Sequence, residues 1–79
     1  MTTHNIITFL KAKYKYIPSS DIQLEDDTIE LNDKYHLQIG LIENYLVGVR
    51  QFKNGKSINT EITDQFELKR FLFKAGVKL

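Results

Sequence analysis

The stretch YHLQIGLIENYLVGVRQFKNGKSINTEI, residues 35–62, decides the fold. Tyr35, Leu37, Ile39 and Leu41 alternate along it, then Tyr45, Val47 and Val49, then Ile58, Thr60 and Ile62. A period of two sends successive side chains to opposite faces, which is the pattern of half-buried strands. Turn-forming residues fall between the runs at Glu43-Asn44 and Asn54-Gly55. The stretch therefore reads as an antiparallel meander.

The same pattern sets a register, because a slip of one residue exchanges the two faces of a strand. A two-residue Asn54-Gly55 loop pairs Gln51 with Ile58, Val49 with Thr60 and Val47 with Ile62, keeping apolar residues together. A two-residue loop at Glu43-Asn44 fails that test, since it sets Leu37 opposite Arg50. A three-residue loop, Ile42-Glu43-Asn44, pairs Leu41 with Tyr45, Ile39 with Val47 and Leu37 with Val49. Asn44 then takes the left-handed position that such a loop needs and that Asn tolerates. On this register Val47, Val49, Ile58 and Ile62 share the covered face with Leu37 and Ile39.

Upstream, Ile29 and Leu31 extend the alternation by one strand, and Ile22-Leu24 offers a short extra one. The residues before them read as a helix from Asn5 to Ile17. Ile6, Leu10, Tyr14 and Ile17 form its stripe, Thr3 or Asn5 caps it, and Pro18 stops it. Downstream, a closing helix starts at Thr63-Asp64 and ends near Ala75. Asp64 with Glu67 resembles a capping box, Gly76 supplies the left-handed stop, and Leu68, Phe71, Leu72 and Ala75 form the core stripe. The expected fold class is α+β: helix, four-stranded antiparallel meander, helix, with both helices laid on one sheet face.

The 79 residues leave room for one domain, which hides only about 60% of the surface of its unfolded chain. A hydrophobic fraction of 42% argues against disorder. No apolar run approaches the ~18 residues of a membrane span, and the polar start lacks the pattern of a signal peptide. With no cysteine, disulfides and thiolate zinc sites are excluded, and the expected compartment is the cytoplasm. The net charge of +1 is unevenly spread: the first 20 residues are basic, residues 21–49 are acidic, and the remainder is basic again. The commoner reading is a solvated surface with both signs interspersed, and the sharper one is a dipolar chain that presents one end to a partner.

Two surfaces emerge as candidate sites. The sheet assignment leaves a second face uncovered, carrying His36, Gln38, Gly40, Leu46, Gly48, Arg50, Phe52, Ser57, Asn59 and Glu61. His36 is expected opposite Arg50, with Asn59 on its other side. Gly40 and Gly48 would leave backbone bare in the middle, a feature that often marks close approach of a ligand or another chain. The competing reading is the wet face of an ordinary antiparallel sheet. The second surface is the closing helix, where Phe66 and Phe73 lie opposite the core stripe with Lys69 and Arg70 between them. Aromatic and arginine side chains on an outward face suit a protein interface, with either a heterologous partner or a second copy in a weak homodimer. The competing reading folds Phe66 back on Ile62 and Phe73 onto Val77 or Leu79.

Enzyme chemistry finds little to work with. The histidines, His4 and His36, have no metal-ligand spacing, so no metal or other cofactor is expected. A facing His36/Arg50 pair would suit a small ribonuclease, the least favoured of the functional readings. Asn54-Gly55-Lys56-Ser57 lacks the glycine and the strand–loop–helix setting of a phosphate loop. The helix–strands–helix order loosely resembles that of double-stranded RNA-binding domains, yet the last helix begins Thr63-Asp64-Gln65-Phe66-Glu67, acidic where phosphate should sit.

A different resemblance covers the C-terminal third. The Asn54-Gly55-Lys56-Ser57 hairpin, one more strand, an acidic cap and an aromatic-rich helix resemble the matching segment of the small type I-F anti-CRISPR inhibitors. Size and a Lys/Ile/Asn-rich composition are similar to those of phage-encoded inhibitors of bacterial defence more broadly. That resemblance implies stoichiometric blocking of a defence-complex subunit without chemistry. The expected function is therefore a non-enzymatic protein-binding module, with a nucleic-acid-binding domain using the open sheet face as the alternative.

Overall fold

The structure, a computed structural model, describes residues 2–19, 26–40 and 45–79. Helix α1 (Thr3–Lys13) leads into strands β1 (Lys15–Ile17), β2 (Asp27–Glu30), β3 (Tyr35–Ile39), β4 (Leu46–Gln51) and β5 (Ser57–Ile62), and helix α2 (Gln65–Lys74) closes the chain. The five strands form one antiparallel sheet in sequence order, an α+β fold.

One strand more is present than the alternation suggested, and it comes out of the expected first helix. α1 begins one residue past Thr2, whose hydroxyl accepts from the Asn5 N–H at 3.1 Å, and its last turn closes on Leu10. Tyr14 is already extended. Tyr14, Tyr16 and Ile17 are aromatic and β-branched, and the residue before Pro18 is pushed out of the helical region, so the segment gains more as an edge strand. There the Tyr16 hydroxyl donates to the Asp27 carboxylate at 2.7 Å, and Asp27 accepts the Ser19 N–H at 2.8 Å. The expected Ile22-Leu24 strand and the Ile42-Glu43-Asn44 loop lie outside the described residues.

The register of β4 corrects the expected one on both sides. Leu37 pairs with Gly48 and Ile39 with Leu46, while Gln51 pairs with Ser57 and Val49 with Asn59. At the β4–β5 turn the Phe52 N–H donates to Lys56 and the Gly55 N–H to Phe52, with Gly55 at φ +85°. Lys53-Asn54-Gly55 is thus a three-residue loop, a type I turn followed by a left-handed glycine bulge, not a two-residue Asn-Gly turn. On the other side the Gly40 N–H donates to the Tyr45 carbonyl at 2.7 Å. Two shifts of one residue invert β4 while leaving β3 and β5 facing as expected.

The buried cluster joins Ile6 and Leu10 of α1 to Leu68, Phe71 and Leu72 of α2 across Ile29, Leu37, Leu46 and Ile62 of the sheet. Leu37 and Ile29 are fully buried, and each such side chain contributes roughly 1.5–3 kcal/mol. Helix α2 is fastened at both ends. The Asp64 carboxylate accepts the Glu67 N–H at 2.8 Å. Past the other end, the Val77 and Gly76 N–H groups donate back to Leu72 and Phe73, a Schellman closure that buries Val77. Asn32 adds a tie from the β2–β3 turn: its side chain donates to the Ala75 carbonyl at 2.9 Å and accepts the Lys34 and Tyr35 N–H groups.

Candidate functional site

The inversion of β4 splits the expected open-face constellation. His36, Gln38, Ser57, Asn59 and Glu61 stay together on the face opposite Leu37 and Ile39, joined by Val47 and Val49, whereas Leu46, Gly48, Arg50 and Phe52 belong to the register positions of the other face. His36 stands opposite Val49 and Glu30, not opposite Arg50. The facing His36/Arg50 pair needed for ribonuclease chemistry is therefore not formed. Neither glycine leaves backbone bare: the Tyr45 ring occupies the space above Gly40, and a Cβ on Gly48 would meet Phe71 ring carbons at 2.5 Å.

The second face has a small apolar centre. Val49 is only 4% exposed there, and Val47 is half-buried. Burial holds the His36 imidazole below its ordinary pKa, with the Glu30 carboxylate partly countering the effect. The charged rim consists of Lys15, in a 3.9 Å ion pair with Glu30, and Glu61.

The outward face of α2 is different in kind. Phe66 is 73% exposed and Phe73 82%, so neither ring folds back onto Ile62, Val77 or Leu79 to any great extent. Lys69 and Arg70, both exposed, stand between them. The spacing i, i+3/i+4, i+7 sets all four on one line opposite the buried Leu68, Phe71 and Leu72. A hollow lined by Asp64, Gln65, Phe66 and Lys69 borders one end, and a second, lined by Lys69, Phe73, Val77, Lys78 and Leu79, borders the other.

A third feature was not visible in the sequence. On the flank of α2 that faces β3–β5, a cleft of about 400 Å³ brings Tyr35, Arg50, Ile58 and Thr60 of the sheet against Glu67, Arg70, Phe71 and Lys74 of the helix. The Arg50 guanidinium lies 5.0 Å from the centroids of both the Tyr35 and Phe52 rings and donates to the Tyr35 hydroxyl. Tyr35 in turn meets Phe71 edge-on at 5.8 Å.

No family model matches the chain, and no curated protein or solved structure matches it. Among the described residues no group of acidic or histidine side chains could hold a metal ion, and no helix is long and apolar enough to cross a membrane.

Proposed function

We propose that the chain is a non-enzymatic protein-binding module that acts by stoichiometric occupation of a partner's surface through the outward face of α2. The observation that carries this reading is the exposure of Phe66 and Phe73, at 73% and 82%, on a helix fixed at both ends. Each ring gains roughly 1.5–3 kcal/mol on full burial, and a capped helix presents both without further ordering. Lys69 and Arg70 between them favour a partner with acidic groups around an apolar pocket.

In its most specific form the proposal is a phage or mobile-element inhibitor of a bacterial defence complex of CRISPR-Cas type, acting in the cytoplasm. Support for that form is the resemblance carried by Asn54-Gly55-Lys56-Ser57, β5, the Asp64 cap and the aromatic-rich α2. The nucleic-acid alternative draws less support, because Arg50 and Phe52 are not on the open face and Glu30 and Glu61 are. The test is phage plating on a bacterium whose type I-F complex restricts that phage. Expression of the chain should restore plating, and Phe66→Ser/Phe73→Ser should abolish the effect. Undiminished restriction with the wild-type chain would remove the defence-inhibitor form.

A further inference from the structure

Apart from Arg70, which it shares with the outward line of α2, the cleft beside the helix is built from residues that protein binding through Phe66 and Phe73 does not use. Arg50, Arg70 and Lys74 line it against a single carboxylate, Glu67, so its walls carry two positive charges in excess. Among the described residues none of the three cations forms an ion pair. Arg50 is also held in place: its guanidinium lies over both the Tyr35 and Phe52 rings, and its one side-chain hydrogen bond goes to Tyr35. Most of its N–H donors are left unused, in the rigid fork geometry that matches phosphate oxygens. Because the Tyr35 hydroxyl accepts from Arg50, its own proton is free to be donated to a ligand, and the Thr60 hydroxyl lines the same space. Ile58 and Phe71 supply apolar wall, and the volume is within the range of small-molecule sites.

We propose that this cleft binds a small phosphate monoester carrying a flat apolar group, with the phosphate between Arg50, Arg70 and Lys74 and the apolar part against Ile58 and Phe71. A phosphate monoester has close to two negative charges at neutral pH, which matches the excess, whereas a carboxylate has one. Arg50, already held against Tyr35 and Phe52, costs little reorganisation when the anion arrives.

The experiment is a titration of the intact chain with phenyl phosphate at low salt, followed by ¹H–¹⁵N spectra. Shifts are expected at Tyr35, Thr60, Arg70, Phe71 and Lys74, with little change along β1 and β2. Arg70 and Lys74 are exposed, so Arg70→Gln/Lys74→Gln leaves the fold intact, and its affinity should fall at least about tenfold through two lost charge-assisted contacts. Benzoate, with the same ring and half the charge, should bind about tenfold more weakly, and phenyl phosphate affinity should fall as pH drops through about 6. Equal affinity in the double variant, equal affinity for benzoate, or shifts spread over all the lysines would overturn the proposal.

Discussion

Gly48 offers the sharpest test of the register, because the two possible facings of β4 predict opposite signs for one methyl group. A glycine inside a strand costs roughly 0.5–1 kcal/mol relative to alanine through backbone entropy. With Gly48 on an open face, Gly48→Ala would therefore stabilise the protein by about that much. In the structure the new Cβ falls 2.5 Å from two Phe71 ring carbons and 2.8 Å from a third. Phe71 is 8% exposed and packs edge-on against Tyr35, so the ring has little room to withdraw. Overpacking of this kind costs about 1–3 kcal/mol, which outweighs the entropic gain. The expected net loss is about 1 kcal/mol, a fall in Tm of roughly 4–8 °C for a chain of this size. Thermal and urea unfolding followed by circular dichroism measure it. In a Phe71→Leu background the same substitution should be neutral or stabilising, since the obstructing ring is gone. A rise in Tm in both backgrounds would refute the inverted β4.

Three further outcomes follow from particular contacts. Asn32→Ala removes the donor to Ala75 and the acceptor for two backbone N–H groups, and should cost about 1–3 kcal/mol in urea unfolding; a loss under about 0.5 kcal/mol would mean the tie between the β2–β3 turn and α2 carries no energy. The lowered His36 pKa means the unfolded chain binds more protons, so stability is fully present above the ordinary value near 6.5 and declines as pH falls. His36→Gln should flatten that decline in Tm measured between pH 7 and pH 5. Asp27, held below its ordinary pKa mainly by the Ser19 N–H, adds a second loss at lower pH, as its carboxylate protonates. Asp27→Asn should remove that step, and an unchanged acid profile would contradict the assigned hydrogen bonds.

The sequence made some of this legible and hid the rest for identifiable reasons. Helix α2 could be read in full because a 3.6-residue period fixes which side chains face out once the core stripe and the Asp64 and Gly76 ends are found. The outward placement of Phe66, Lys69, Arg70 and Phe73 follows from that period, whereas the exposure of the two rings, which could have folded back on Ile62, Val77 or Leu79, needed the structure. Strand β4 could not be oriented the same way. Tyr45, Val47 and Val49 on one parity and Leu46 and Gly48 on the other are both acceptable core faces. The choice rests on the loop at Lys53-Asn54-Gly55 and on the room Gly48 leaves for Phe71. Lys15–Ile17 was ambiguous likewise, since Tyr14 and Ile17 also satisfy a helical period, and its partner on β2 is far along the chain. The cleft was out of reach because Tyr35, Arg50, Arg70 and Lys74 meet only once that register is set.

If α2 holds its partner through the aromatic line, capture of that partner depends on Phe66 and Phe73. Tagged wild type, Phe66→Ser/Phe73→Ser and His36→Ala/Gln38→Ala/Asn59→Ala would be used on lysate of a bacterium that carries a type I-F CRISPR-Cas complex, and the bound protein sized with the chain. Both rings of the first variant are exposed, so its stability should stay within about 0.5 kcal/mol of wild type. Wild type and the sheet-face variant should each give a complex of fixed stoichiometry, and Phe66→Ser/Phe73→Ser none. A complex that survives loss of both phenylalanines and disappears in the sheet-face variant would contradict docking through α2.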